Sequence, residues 1–217
     1  RQTPSMYLPE HFSESRLEVL HQLIRERPLA TLITQGSAGL NANHIPCELA
    51  LDPPPFGTLR AHVARANPLW RDFSESVEAL VIFQGPQAYV SPSWYPTKQS
   101  TGEVVPTYNY VVVHAYGPLR IVDDVTWLRG LVCRLTDRFE ATQTQPWRVS
   151  DAPDGFIDKQ LQAIVGIEIP LTRLLGKWKV SQNRPAIDRA GVVSELSKAT
   201  DADSLAIAGW VREPSKA

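Results

Sequence analysis

The sequence predicts an α+β protein in which helices are spread around a β-barrel. Three observations support this fold class. About six or seven runs are rich in β-branched and aromatic residues, three or four segments have helical periodicity, and the two kinds do not alternate regularly. The missing alternation argues against a doubly wound parallel sheet. A chain of 217 residues suits one medium domain, or one domain with a small appendage.

The N-terminal third predicts a capped helix followed by a hairpin. Ser15 and Glu18 form a capping box, and Pro28 closes the amphipathic helix that follows. Residues 29–35 and 40–51 are β-rich on either side of a glycine turn, so they are expected to pair. A third strand is predicted over residues 58–63.

The rest of the chain alternates short strands with loops and ends in helices. Asn67 and Pro68 are a helix start signal, and Asp124 caps a second amphipathic helix that runs to about residue 139. Strands are expected at 79–84, 88–91, 107–116, 119–122 and 165–169, irregular or polar segments at 91–103, 140–155 and 176–183, and further helices at 157–164, 184–199 and 201–211.

Composition excludes several functional classes. The net charge is −1, from 22 basic and 23 acidic residues, and no basic stripe marks a nucleic-acid binder. Cys47 and Cys133 lie far apart, so we expect reduced thiols in a cytoplasmic protein. No apolar run has the length of a membrane span.

Catalytic and metal signatures are also missing from the sequence. It contains no nucleophile elbow, phosphate loop or dinucleotide fingerprint. The five histidines show no metal-binding spacing. We therefore assign no catalytic residue and no metal ligand.

The first candidate site lies where the third strand meets a helix start. His62 and Arg65 precede the cap residue Asn67, and a helix N-terminus with nearby cations suits one phosphate group. The alternative is an exposed strand end with an ordinary cap.

The second candidate is the aromatic and proline-rich segment 83–95. Trp94 and Tyr95 are costly to leave exposed, and they would suit a flat ring or a partner surface. The alternative is a hydrophobic loop packed over the core.

Two further polar segments complete the candidates. Thr107 and Asn109 share one face of a strand and could hydrogen-bond a ring rich in heteroatoms. Lys179, Gln182 and Asn183 belong to a donor-rich run that fits an anion or a ring edge. A half-exposed strand face and a solvated loop are the respective alternatives.

These segments, in this order, resemble the FMN-binding negative transcriptional regulator family of the PaiB type. The resemblance covers residues 6 to 212, nearly the whole chain. Tyr108 stands where many members have tryptophan. The motifs that carry it are Met6-Tyr7-Leu8-Pro9-Glu10-His11-Phe12, Ala30-Thr31-Leu32-Ile33, His62-x-Ala64-x-x-Asn67-Pro68, Gly85-Pro86-x-Ala88-Tyr89-Val90-Ser91-Pro92-Ser93-Trp94-Tyr95, Val105-Pro106-Thr107-Tyr108-Asn109-Tyr110 and Lys177-Trp178-Lys179-Val180-Ser181-Gln182-Asn183.

The resemblance implies an FMN-binding split β-barrel, mostly antiparallel, similar to the pyridoxamine-phosphate-oxidase-like flavoproteins. It implies a barrel domain over residues 6–183, a C-terminal helical extension over 184–217, and a homodimer with FMN between the subunits. The site residues it implies are His62, Arg65 and Asn67 at the phosphate, Thr107 and Asn109 at the isoalloxazine edge, Trp94 and Tyr95 over the ring, and Lys179, Gln182 and Asn183 completing the site.

Three functions remain open from the sequence. The family name implies a negative regulator of degradative-enzyme or sporulation genes, with direct DNA binding doubtful because no basic footprint is visible. The alternative is an FMN-dependent oxidoreductase acting on a small molecule, since a flavin carries the chemistry itself. A binding or scaffold module without flavin is the third.

Overall fold

The computed structural model describes residues 6–153 and 155–213, and these residues form two compact units. The first unit comprises residues 6–23, 83–114 and 175–213, and the second comprises residues 24–82 and 115–174. Each unit combines antiparallel strands with helices, which agrees with the predicted α+β class. Among the described residues, no helix is both long and apolar enough to cross a membrane.

The chain contains six α-helices and ten strands over the described residues. The helices are α1 (Leu17–Glu26), α2 (Lys98–Thr101), α3 (Val125–Glu140), α4 (Phe156–Gln162), α5 (Ala186–Leu196) and α6 (Ala202–Arg212). The strands are β1 (Ser13–Glu14), β2 (Leu29–Gly36), β3 (Gly39–Pro46), β4 (Glu48–Ala50), β5 (Thr58–Ala64), β6 (Ala79–Val90), β7 (Thr107–Gly117), β8 (Arg120–Val122), β9 (Ile164–Pro170) and β10 (Arg173–Lys179).

In the first unit, the strand order is β1, β10, β7, β6. Strand β1 pairs antiparallel with β10, and Ser13 lies opposite Lys177. The core is built from large side chains that lie on these strands and on α1, α5 and α6. Its most buried members include Leu20, Phe83, Val111, Trp178, Val192 and Ile207.

The second unit contains two antiparallel arrangements of strands. Strand β2 lies between β6 and β3, and the second sheet has the order β4, β5, β9, β8. Helix α3 supplies the buried Leu128, Leu131 and Leu135. The Asp124 carboxylate caps this helix by accepting from the Trp127 amide at 2.6 Å, as the sequence predicted.

Two predicted strands have different limits in the structure. The run 40–51 is divided at Cys47 into β3 and β4, which pair with β2 and β5 respectively. Pro46 has no N–H for a continuing ladder, and the Cys47 amide instead donates to the Pro28 carbonyl at 2.8 Å. Conversely, β6 runs unbroken through Gly85 and Pro86, because its pairing with β2 involves only residues 80–82.

The prediction of a polar loop over residues 176–183 is wrong for its first half. Residues up to Lys179 belong to β10, and Trp178 is 1% exposed. Lys177 and Lys179 made this segment look like a solvated loop, but Trp178 between them enters the core. The segment is therefore a further strand, which follows β9 in the chain. The helix predicted after Asn67 is one short 3-10 turn, Pro68–Trp70.

The C-terminal helices α5 and α6 pack within the first unit. The domain boundary expected between residues 183 and 184 therefore stays a prediction, and residues 214–217 of that predicted extension lie outside the described residues.

Candidate functional site

A small polar cavity in the first unit is lined by five of the ten predicted site residues. They are Tyr95, Thr107, Asn109, Lys179 and Asn183. The cavity has a volume of about 100 Å³ and is completed by Phe12, Val105, Pro106, Ser181 and Arg184. Segments predicted separately from the sequence therefore converge on one site.

Strand β7 supplies the floor of this cavity through its alternation. Thr107 and Asn109 lie on one face, and Tyr108 between them is exposed on the other, as predicted. The Asn109 side chain is 1% exposed, and its amide donates to the Ser181 hydroxyl at 2.9 Å. This buried hydrogen bond joins β7 to the turn that follows β10.

Lys179, the last residue of β10, brings a cation to the cavity. Its ammonium donates to the Thr107 hydroxyl and to the Tyr108 carbonyl, the latter at 2.6 Å. Burial, followed by the charges of Lys177 and Arg184, lowers the pKa of Lys179. Because none of the described lining residues is a carboxylate, the cavity favours an anion or an electron-rich ring edge.

The turn after β10 contains two lining residues that sequence reasoning missed, Ser181 and Arg184. Ser181 has a φ of 65°, the only positive φ of a non-glycine residue among the described residues. Such a conformation costs about 1–3 kcal/mol and is found most often at functional sites. Arg184 lies over the Tyr95 ring at 4.8 Å. It follows directly on the motif that ends at Asn183, which was the available signal.

Gln182 has a role different from the predicted ligand contact. Its side-chain oxygen accepts from the Val180 amide at 2.8 Å, and its side-chain nitrogen donates to the Trp178 carbonyl. Both ends of the amide therefore hold the turn closed. In this structure Gln182 positions Ser181 and Asn183 and does not line the cavity.

The aromatic segment is ordered by contacts with α5. Asp188, which is 1% exposed, accepts from the Thr97 amide at 3.2 Å and from the Thr97 hydroxyl at 2.8 Å. Tyr95 is 2% exposed and faces the cavity, whereas Trp94 is half-buried and is not among the lining residues. The predicted cover of the ring by Trp94 stays a prediction.

The other three predicted residues lie in the second unit, around the end of β5. Arg65 binds both oxygens of Asp123, at 2.6 and 3.0 Å, and also donates to the carbonyls of Gln162 and Ile164. The ion pair raises the pKa of Arg65 and lowers that of Asp123, mainly through the shared hydrogen bonds. Four of the five guanidinium donors are thus already used within the chain.

The Asn67 side chain is also held within the chain, whereas the buried Nδ1 of His62 has no hydrogen-bond partner among the described residues. The Asn67 side chain accepts from the Leu69 amide at 2.9 Å and donates to Asn43 at 2.8 Å. His62 lines a cleft with largely apolar walls, and burial lowers the pKa of its imidazole. The phosphate site predicted at these three residues stays a prediction, and the contacts of Arg65 and Asn67 weigh against it.

The donors of the first-unit cavity fit FMN chemically. FMN carries a phosphate and ring carbonyl acceptors, while the cavity offers two cations, two amides and three hydroxyls. Its volume of about 100 Å³ is below the roughly 300–1,000 Å³ typical of ligand pockets. The cavity can therefore hold one end of such a molecule, and further surface must hold the rest.

Comparisons with known proteins agree with this site chemistry. A family model described as "Putative FMN-binding domain" matches residues 6–173. An uncharacterised protein of Emericella nidulans is 37% identical, with 96% of this chain and 97% of that protein covered. The protease synthase and sporulation protein PAI 2 of Bacillus subtilis is 28% identical, with 97% of this chain and 99% of that protein covered.

Solved structures with the same fold include a flavocytochrome and a protein that binds FAD and heme. The flavocytochrome Anf3 of Azotobacter vinelandii has a TM-score of 0.60 at 12% identity, covering 82% of this chain and 73% of that one. A FAD- and heme-binding protein of Mycobacterium smegmatis has a TM-score of 0.56 at 21% identity, covering 78% and 74%. These likenesses confirm the predicted fold, a mostly antiparallel split β-barrel with peripheral helices.

The matched residues include five of the six motifs from which the resemblance was first drawn and the β7 face of the cavity, and FMN is the cofactor that this match supports. The chain belongs to the FMN-binding domain family.

Proposed function

We propose that this protein is an FMN-binding negative regulator of degradative-enzyme or sporulation genes. The observation that carries the proposal is the cationic cavity formed by Thr107, Asn109, Lys179 and Ser181 in a chain of the FMN-binding family. The regulatory part is supported by the likeness, over nearly its whole length, to a Bacillus protein named for protease synthesis and sporulation.

The cavity would hold FMN through groups of opposite charge and through amide donors. Lys179 and Arg184 would meet its anionic part, and Asn109 and Asn183 would contact neighbouring acceptors. A homodimer is part of the proposal, because the cavity of one chain is too small to enclose the cofactor.

The flavin part is tested by the visible spectrum of the purified protein. We expect a yellow protein, or a colourless one that gains a flavin spectrum with one FMN bound per chain when FMN is added. A protein that binds no FMN under either condition would overturn the proposal, whatever its effect on genes.

The regulatory part needs a separate test in the source organism. Deleting the gene should raise transcripts of degradative enzymes, and expression of the wild-type chain should restore repression. A gel shift at physiological salt should show no direct binding to the affected promoters, because the net charge is −1. Unchanged transcripts in a strain whose protein binds FMN would reject the regulatory role but not the binding of FMN.

An FMN-dependent oxidoreductase is the second candidate, and the cluster of Lys177, Lys179 and Arg184 favours it. Each of the other two charges lowers the pKa of Lys179, so the cluster is a strongly electropositive environment. Positive charge near a flavin stabilises its reduced, anionic form. Steady-state oxidation of NADH or NADPH by the FMN-loaded protein would support this activity, and no turnover with common acceptors would count against it.

A further inference from the structure

A second cleft lies within the second unit, and it shares no lining residue with the FMN cavity. Its volume is about 350 Å³, within the range of small-molecule pockets. The lining side chains come from β3, β5, α3 and the segment after α3. They include Pro46, His62, Leu135, Phe139, Glu140 and Trp147.

The walls of this cleft are apolar and partly aromatic. Phe139 is 44% exposed and Trp147 is 43% exposed, while Leu135 below them is buried. Trp147 is held at the rim because its backbone amide donates to the Glu140 carboxylate at 3.0 Å. Two aromatic side chains on an open concave surface offer stacking area for a flat molecule.

His62 is one of the polar groups that line the cleft, together with Thr136 and Glu140. Its Nδ1 is buried and has no hydrogen-bond partner among the described residues. Burial lowers the pKa of the imidazole, so the ring is neutral at pH 7. A neutral imidazole has one donor and one acceptor nitrogen, and the proposal below assigns the proton to Nε2.

The charges at the cleft exclude other occupants. None of the described lining residues is a lysine or arginine, and Glu140 adds a carboxylate. An anion such as a phosphate therefore finds repulsion and no cation. A neutral molecule with a hydrogen-bond acceptor matches both the apolar walls and the uncharged donors of the lining, His62, Thr136 and Trp147.

We propose that this cleft binds an uncharged aromatic small molecule, which stacks against Phe139 and Trp147 and accepts a hydrogen bond from His62. The site is distinct in chemistry from the FMN cavity, and it makes the protein a receptor for a second ligand. The proposal does not depend on whether the flavin acts in regulation or in turnover.

The test uses the FMN-loaded full-length protein and Nile red, a neutral polycyclic dye with a carbonyl acceptor whose fluorescence can be excited outside the flavin absorption. We expect saturable binding at one site per chain. Phe139→Ala and Trp147→Ala should each weaken binding by tenfold or more. Thr136→Phe, which fills the cleft from α3, should do the same without removing a core side chain.

Matched controls separate the cleft from general surface effects. Phe156→Ala removes another half-exposed phenylalanine of the same unit that does not line the cleft, so binding should not change. His62→Phe should weaken Nile red about three- to tenfold, as expected for one hydrogen bond. It should leave the binding of diphenylhexatriene, a hydrocarbon without an acceptor, unchanged.

Circular dichroism establishes that each variant is folded. Dye affinity that is unchanged in both Phe139→Ala and Trp147→Ala would overturn the proposal. So would wild-type protein that binds no dye while Phe139→Ala converts a dimer to monomers, because a second copy of the chain would then occupy the cleft.

Discussion

At the scale of single residues, the proposed FMN cavity depends on one lysine that reaches it from the end of β10. Lys179 is held by Thr107 and by the Tyr108 carbonyl, so its ammonium is fixed before any ligand arrives. Fixing the side chain in advance lowers the entropy cost of binding an anion. Sequence reasoning named this residue, and the structure explains its position.

Replacing Lys179 by methionine should reduce FMN affinity by about tenfold to a hundredfold, the effect of one charge-assisted hydrogen bond. The measurement is the dissociation constant from FMN fluorescence quenching during reconstitution. Lys198→Met is the control, because Lys198 pairs with Glu195 on the surface of the same unit. Equal affinity of the two variants would place the phosphate elsewhere.

Two histidines with lowered pKa values make the stability of the fold sensitive to mild acid. Burial is the main cause that lowers the pKa of both His62 and His114. Their folded pKa values lie below the unfolded value of about 6.5. Their contribution to stability is therefore complete above that value and decreases as the pH falls through it towards the folded pKa.

Urea unfolding should therefore show a lower free energy of unfolding at pH about 5 than at pH about 7.5. The His62→Phe variant should lose less stability over this interval than the wild type, because one of the two groups no longer titrates. An identical loss in both proteins would show that His62 is not protonated on unfolding.

At the scale of elements, helix α5 holds the aromatic segment beside the proposed FMN cavity. A Cβ atom at Gly191 would lie 2.0 Å from the Trp94 carbonyl oxygen, so the glycine permits a close approach of α5 to this segment. Asp188 on the same helix binds Thr97. The helix therefore sets the position of Tyr95, which lies between these contacts.

Gly191→Ala should destabilise the protein by about 1–3 kcal/mol through this overlap and should weaken FMN binding as well. Gly209 on α6 is the matched helical control, since nothing lies within 4 Å of its added Cβ. Gly209→Ala should stabilise the protein by about 0.5–1 kcal/mol. Thermal unfolding and FMN titration check both, and a stabilised Gly191→Ala would contradict the close contact.

At the scale of the whole molecule, the small cavity predicts that a complete cofactor site needs a second chain. One chain of 24.2 kDa offers about 100 Å³ at the cationic cavity. Light scattering after size exclusion should therefore give twice the chain mass for the FMN-loaded protein. A monomer that retains FMN through the column would show that one chain is sufficient.

The sequence by itself determined the features that depend on neighbours a few residues apart. The cap at Asp124, the hairpin of β2 and β3, and the shared face of Thr107 and Asn109 are examples, because capping and strand alternation are local. The motifs also identified the family, since they retain spacing that a fold and a cofactor require.

Only the tertiary structure decided which distant groups meet. Arg65 pairs with Asp123, 58 residues away, and Asn109 bonds Ser181, 72 residues away. Long-range pairing also turned the lysine-rich segment into β10 and drew Arg184 into the cavity. No local pattern encodes these contacts, because they are set by burial and strand pairing across the folded chain.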